Sequence, residues 1–127
     1  MSNNLFQNEG EFTPDSLIVS ASVPLITGGV KLAPKQGVLI RGSLIGKASD
    51  GLYYQTGSVI GEVTVGASGV LTDNVDTGDS SATLSVIATQ YVSGLFNKNA
   101  LTIKTPSTVD GFEDKLRELG IYMESVQ

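Results

Sequence analysis

The chain has 127 residues, a formal net charge of −5 and an isoelectric point of about 4.5. It contains no histidine and no cysteine, which excludes Ser-His and Cys-His nucleophile pairs, disulfides and thiolate zinc sites. Its eight basic residues are scattered along an acidic chain, so nucleic-acid binding is not expected. A chain of this length forms one domain that needs no disulfide or metal to fold.

The first 29 residues differ from the rest and are predicted to form an extended arm. Met1–Pro14 is polar, with isolated Phe6 and Phe12, and lacks a sustained hydrophobic period. Ser16–Val23 could form one strand, which Pro24 and the Gly28-Gly29 pair would end. We interpret residues 1–29 as a flexible arm that could become ordered against a partner, with a frayed terminus of no function as the alternative.

No membrane segment or signal peptide is predicted in this region. The longest apolar stretch, Ser16–Val30, is interrupted by serines, a proline and glycines. No Lys or Arg precedes Lys31, so the cationic start of a signal peptide is missing.

Residues 30–127 are predicted to form a single compact β-rich domain. Gly37–Gly46 carries two apolar runs split by Arg41-Gly42, and Asp50-Gly51 is a tight-turn dipeptide before Leu52-Tyr53-Tyr54. Val59–Val65 alternates imperfectly. The longest β-capable stretch is Ala82–Phe96, and Ala100–Lys104 is predicted to add a short strand. Short strands with frequent turns and 15 glycines favour a small barrel or sandwich.

One amphipathic helix is predicted near the C-terminus. Val109, Phe112, Leu116 and Leu119 are spaced to share one face, which would cover one side of the β domain. Ser107 or Thr108 could cap its start, Asp110 suits its positive end, Glu113 could pair with Arg117, and Gly120 would end it. Ile121–Met123 would then return to the core as a last extended segment.

Two segments resemble ligand sites but depart from the required spacing. Gly42–Ala48 (GSLIGKA) is one residue too short for a phosphate loop and has Ala48 where a hydroxyl is needed, so we predict a turn between strands. Asp73, Asp76 and Asp79 lack the alternate spacing and closing glutamate of a calcium loop, so we predict an acidic hairpin loop.

No catalytic residues, cofactor or metal site are predicted. The remaining enzymatic alternative is a small hydrolase that uses Ser43 and Lys47 as a catalytic pair. Glu62 is a lone carboxylate, more typical of an edge charge than of a general base. Tyr53 and Tyr54 would point to opposite faces of a strand, one into the core and one free for an interface.

Five short sequence elements, taken in order, resemble the head-decoration protein family of tailed phages, relatives of the lambda decoration protein. The resemblance extends over roughly residues 37–122, and its specificity lies in the order and spacing of the elements. They are Gly69-Val70-Leu71, Val75-Asp76, Gly94-Leu95-Phe96-Asn97, Asn99-Ala100-Leu101 and Leu119-Gly120-Ile121.

The resemblance implies a virion protein on the outside of the capsid. Members of such a family bind the expanded head as trimers at threefold and quasi-threefold positions, which makes the major capsid protein and the chain itself the expected partners. The N-terminal arm would lie against the shell. Candidate contact residues there are Phe6, Phe12, Pro14 and Leu17, three of them apolar side chains in a segment that cannot bury them by itself.

Another virion role is the alternative function. A head-fibre base, a tail-tube component or a carbohydrate-binding module would also suit a small β-rich chain without catalytic residues. A tail-tube protein would assemble into rings or tubes by itself, and a carbohydrate-binding module would bind glycans.

Overall fold

A computed structural model describes residues 17–20, 23–104 and 107–125. Over these residues the protein is mainly β, as predicted. The strands are β1 (Ile18–Ser20), β2 (Ile26–Leu32), β3 (Val38–Leu39), β4 (Leu44–Lys47), β5 (Tyr53–Gln55), β6 (Val59–Ile60), β7 (Val63–Thr64), β8 (Gly69–Leu71), β9 (Val75–Asp76), β10 (Val86–Asn97) and β11 (Ile121–Glu124). The helical elements are two 3₁₀ turns, Lys98–Ala100 and Val109–Phe112, and the α-helix α1 (Glu113–Glu118).

Five of the strands close into a barrel. The long strand β10 pairs with β2 and also with β8, while β5 and β4 complete the ring between them in the order β10-β2-β5-β4-β8. The β2–β5 pairing is parallel, whereas the others are antiparallel. Closure removes the exposed strand edges that a small open sheet would present.

The second half of β10 extends beyond the barrel. Its register with β2 shifts between Tyr91 and Ser93, and the following residues pair with β1 and, in parallel, with β11. An extra residue at such a shift reverses which side chains face each side of the sheet. One strand therefore contributes to the barrel and to a second packed layer.

Two hydrophobic cores lie on the two faces of the barrel wall. The inner core consists of Val30, Leu32, Leu39, Ile45 and Leu71. The outer core, under α1 and β11, consists of Leu17, Leu44, Ala67, Val70, Phe96, Leu101, Leu116 and Ile121. Adjacent Val70 and Leu71 are both fully buried because successive strand residues point to opposite faces. A wall covered on both faces needs continuous apolar runs, which explains why this strand does not alternate.

The predicted arm boundary at Gly29 is wrong, because the folded domain includes residues well before it. Leu17 is 1% exposed in the outer core, and β1 pairs with the end of β10. Gly28 and Gly29 lie inside β2, opposite Gln90 and Thr89, so main-chain pairing overrides their low strand propensity. Phe6, Phe12 and Pro14 lie outside the described residues.

The predicted C-terminal helix is shorter than its hydrophobic spacing indicated. Its first turn is the 3₁₀ turn, and only Glu113–Glu118 is α-helical. Leu116 is fully buried, but Leu119 is 43% exposed, so its assignment to the buried face is wrong. The helix ends before Leu119. A 3₁₀ turn has three residues per turn instead of 3.6, so the residues after it do not keep to the face that the spacing predicted.

Other predicted features of this region are observed. A Glu113 carboxylate oxygen lies 3.2 Å from the Arg117 guanidinium, and Gly120 has φ +95° where the chain turns into β11. The predicted cap is the exception, because Thr108 precedes the first turn but makes no side-chain capping bond.

The predicted strand at Ala100–Lys104 is not formed. Instead the Asn97 side chain accepts the Asn99 N–H at 3.1 Å, which turns the chain into the 3₁₀ segment. What remains is a single bridge between Thr102 and Ser43. The side-chain bond accounts for the turn at the start of the segment, while Thr102 and Lys104 form backbone hydrogen bonds with Gly42, Leu44 and Thr56 without a regular strand.

Candidate functional site

The residues predicted as the enzymatic alternative do not form an accessible pair. Ser43 is fully buried, and its hydroxyl lies 3.1 Å from the hydroxyl of Thr102. Lys47 is exposed at the end of β4. A buried hydroxyl that already has a partner cannot be reached by a substrate.

The Gly42–Ala48 segment is a turn that runs directly into a strand. Gly42 has φ +96°, and β4 follows at Leu44. A phosphate loop instead continues into a helix whose first amides point at the phosphates. The prediction of a turn therefore holds only at Gly42, and it is wrong for Leu44–Lys47, which form β4.

The predicted acidic loop is interrupted by a strand, because Asp76 lies in β9, which pairs with β3. The carboxylates of Asp76 and Asp79 accept local hydrogen bonds. Asp76 accepts the N–H of Gly78 at 2.8 Å, and Asp79 accepts both the N–H and the hydroxyl of Ser81. The bonds from Ser81, its hydroxyl first, lower the pKa of Asp79. In residues 17–20, 23–104 and 107–125, no group of three or more His, Cys, Asp or Glu residues is placed to hold a metal ion.

No helix in the described part of the chain is long and apolar enough to cross a membrane.

A groove of about 550 Å³ lies on the surface, outside the two cores. We call it the basic groove. It lies between the Pro34–Gln36 segment and the β6–β7 hairpin. The lining residues are Pro34, Lys35, Gln36, Leu52, Tyr54, Gln55, Ser58, Val59, Ile60 and Lys104. Two lysines and several apolar side chains therefore share one concavity in a chain of net charge −5.

One wall of the basic groove is held by a dense set of hydrogen bonds around Gln36. Its amide nitrogen donates to the carbonyls of Ala33 (2.8 Å) and Tyr53 (3.2 Å), and its amide oxygen accepts the Gln55 N–H at 2.9 Å. Its own N–H donates to the Thr77 hydroxyl at 2.8 Å. The wall is therefore rigid before any ligand arrives.

Lys35 occupies an unfavourable backbone conformation next to Gln36. Its φ is +74°, and every other described residue with positive φ is a glycine. For a side-chain-bearing residue this conformation costs about 1–2 kcal/mol. Such costs concentrate at functional positions.

The other side of the groove is a small apolar hairpin. β6 and β7 pair only with each other within the described residues, and Val59 and Val63 are largely exposed. Glu62 lies at the hairpin tip and not among the groove-lining residues. Its role as an edge charge stays a prediction.

Tyr53 and Tyr54 point to opposite faces, as predicted. Tyr53 packs against the inner core, while the Tyr54 hydroxyl donates to Asp50 at 2.7 Å beside the groove. The predicted Asp50-Gly51 turn is present, with Gly51 at φ +87° and the Leu52 N–H donating to Asp50 at 2.9 Å. The bond to Asp50 raises the pKa of Tyr54 above 10.0.

We expect Asp50→Asn to lower the pKa of Tyr54 toward its ordinary value. The N–H of Leu52 and then the Tyr54 hydroxyl hold the pKa of Asp50 below 3.8. The hydrogen bonds to the Asp50 carboxylate therefore stabilise the fold above that pH. This stabilisation is lost as the pH falls through the lowered pKa. NMR titration of the tyrosine Cζ resonances measures the Tyr54 pKa directly. Asp79→Asn is the matched control, and an unchanged Tyr54 pKa in Asp50→Asn would exclude the bond.

Sequence reasoning missed the basic groove because its two lysines are 69 positions apart. Only barrel closure and the segment after the 3₁₀ turn bring residues 34–36 and 104 to one concavity. A lysine with positive φ has no sequence signal of its own. The neighbouring Pro34 and Gly37 indicated only a turn.

Comparison with known proteins adds no relatives to this picture: no family model matches the chain, and no curated protein matches it.

Proposed function

We propose that this chain is a capsid decoration protein of a tailed phage. It binds the outside of the expanded head as trimers at threefold and quasi-threefold sites and stabilises the shell. The observation that carries the proposal is where the five family-like sequence elements lie in the fold.

Two of these elements lie in or beside the barrel, and three lie in the second layer that covers it. In order, they form β8, β9, the end of β10, the 3₁₀ turn after it and the junction between α1 and β11.

Their glycines and asparagines meet local constraints. A Cβ at Gly69 would lie 1.9 Å from the Gln90 side-chain oxygen, and one at Gly94 would lie 2.7 Å from Leu25. Asn97 caps the 3₁₀ turn. The resemblance therefore includes residues with a specific packing or capping role, one of them in the barrel and two at the start of the second layer.

A decoration role also suits the distribution of apolar surface. Several large hydrophobic side chains are exposed over the barrel and its second layer: Leu25, Ile26, Val38, Ile40, Val59, Val63, Leu84, Ile87, Leu119 and Tyr122. Scattered exposed apolar residues suit several modest contacts better than one deep site. A trimer that bridges several shell subunits gains about 10² to 10⁴ in avidity from such contacts.

Binding to the assembled shell alone would stabilise it by mass action. At a hundredfold excess over the dissociation constant, this linkage contributes about 2.7 kcal/mol per site. No catalytic chemistry is required.

The proposal is tested by sedimentation of the purified protein with phage heads. We expect it to sediment with expanded heads and not with unexpanded procapsids, and a variant lacking residues 2–16 should fold but lose head binding. Deletion should stop at residue 16, because Leu17 is buried and residues of β1 and of the start of β2 pair with β10. Equal binding by the truncated form would remove the arm from the mechanism.

Three outcomes would instead contradict the decoration role. Failure to bind mature heads at saturating concentration would exclude it. Tubes or rings in electron micrographs of the isolated protein would favour a tail-tube component, and specific signals on a glycan array would favour a carbohydrate-binding module.

A further inference from the structure

We infer that the basic groove receives the end of α1 and the outer face of β11 from a second copy of this chain, so that copies join head to tail. That the ring closes at three copies rests on the proposed function. The contact itself rests on two surfaces of opposite charge.

The first surface is the basic groove. Among the described residues, neither Lys35 nor Lys104 has an ion-pair partner. Within residues 17–20, 23–104 and 107–125, the only carboxylate bonded to a groove-lining side chain is that of Asp50, which accepts from the Tyr54 hydroxyl. The two lysines therefore offer uncompensated positive charge beside the apolar side chains of Val59 and Ile60.

The second surface, here called the acidic ridge, consists of Glu118, Leu119, Tyr122 and Glu124. Leu119 and Tyr122 are 43% and 40% exposed, which is high for such large apolar side chains. Tyr122 and Glu124 are two residues apart on β11 and so project from the same face. Neither glutamate has an ion-pair partner in the part of the chain that the structure describes.

The acidic ridge also lies on a strand with an open edge. Within the described residues, β11 pairs only with β10. An edge strand with exposed apolar side chains is a usual site of association unless it is covered. The ridge therefore combines apolar area, negative charge and an open edge.

A head-to-tail contact requires two different complementary patches on each copy. Rings with threefold symmetry are built from such contacts, whereas twofold dimers use one patch that faces itself. The basic groove and the acidic ridge match in both polar and apolar character. This favours a second copy as the occupant of the groove.

Net charge does not prevent the contact under physiological conditions. Copies of charge −5 repel each other at long range, but the screening length at 0.15 M salt is about 8 Å. Local pairs between lysine and glutamate are shorter than this length and persist. We therefore expect self-association to weaken as salt is raised further.

Charge reversal and exchange test the contact directly. Lys35→Glu with Lys104→Glu should raise the dissociation constant of self-association by about tenfold or more, as should Glu118→Lys with Glu124→Lys. All four changes in one chain should restore association to near the original value, because each interface again pairs opposite charges. Analytical ultracentrifugation of the purified protein measures the effect.

Lys31→Glu with Lys115→Glu is the matched control, since both lysines are exposed and lie outside the basic groove. It makes the same change in net charge and should leave association nearly unchanged. An equal loss in this control, or failure of the fourfold exchange to restore association, would overturn the inference.

A cysteine crosslink provides a second measurement that does not depend on charge. The chain has no cysteine, so Lys104→Cys with Glu124→Cys introduces the only two thiols. Oxidation should produce covalent trimers in non-reducing electrophoresis, whereas either single variant can give dimers at most. If no species beyond the monomer forms, either free or on heads, the contact is excluded.

The two proposals fail separately. If the wild-type protein does not bind expanded heads, the decoration role is contradicted, whatever the crosslinks show. Protein that binds heads without the predicted crosslink would contradict only the inferred contact.

Discussion

Removal of residues 2–28 is expected to abolish cooperative folding, whereas removal of residues 2–16 should leave the domain intact. The longer deletion removes Leu17, all of β1 and the first three residues of β2. Leu17 alone is buried in the outer core, where replacement of leucine by alanine costs about 2–5 kcal/mol. That loss is a large fraction of the about 5–15 kcal/mol by which a typical domain is stable.

Circular dichroism and denaturant unfolding of both truncated proteins would check this expectation. Leu17→Ala in the full chain should lower the unfolding midpoint strongly, while Leu84→Ala, at a position 79% exposed, should change it little. An unchanged midpoint after removal of residues 2–28 would show that β1 and the start of β2 do not stabilise the domain.

The second large effect is expected for Gly46→Ala, in the middle of β4. A Cβ at this position would lie 2.0 Å from the carbonyl oxygen of Gly66. That oxygen accepts the Thr56 hydroxyl at 2.9 Å, so it cannot move away without breaking a buried hydrogen bond. Overpacking against backbone costs about 1–3 kcal/mol or more, and we expect the upper part of that range.

Gly66→Ala is the control, because Gly66 supplies the carbonyl oxygen that a Cβ at Gly46 would meet. A Cβ at Gly66 meets nothing within 4 Å, and its backbone does not require positive φ. Urea unfolding should therefore show a large fall in midpoint for Gly46→Ala and little change for Gly66→Ala, with similar slopes. Equal midpoints would mean that the segment around Gly66 does not pack against β4.

The β-rich class, the paired tyrosines and the turn at Asp50-Gly51 could be predicted because each depends on local preference. Tight-turn dipeptides and β-branched runs limit the backbone within a few residues. The stop at Gly120 and the Glu113–Arg117 pair are of the same kind. Where prediction failed, an interaction that the residue pattern did not reveal, either long-range or within a local turn, overrode that pattern.

The failures share this cause. Gly28 and Gly29 indicated the end of a strand, but pairing with β10 keeps them inside β2. Leu119 fits the helical spacing, but the helix begins as a 3₁₀ turn and ends one residue before Leu119. Leu17 was predicted to contact a shell and is instead core.

By itself, the sequence determined that this is a small acidic β-rich domain without histidine or cysteine. Only the tertiary structure decided that five strands close into a barrel with a core on each face of its wall. It also decided that Lys35 and Lys104 line one groove. Composition and turn residues act locally, whereas barrel closure and groove formation depend on contacts between residues far apart in the chain.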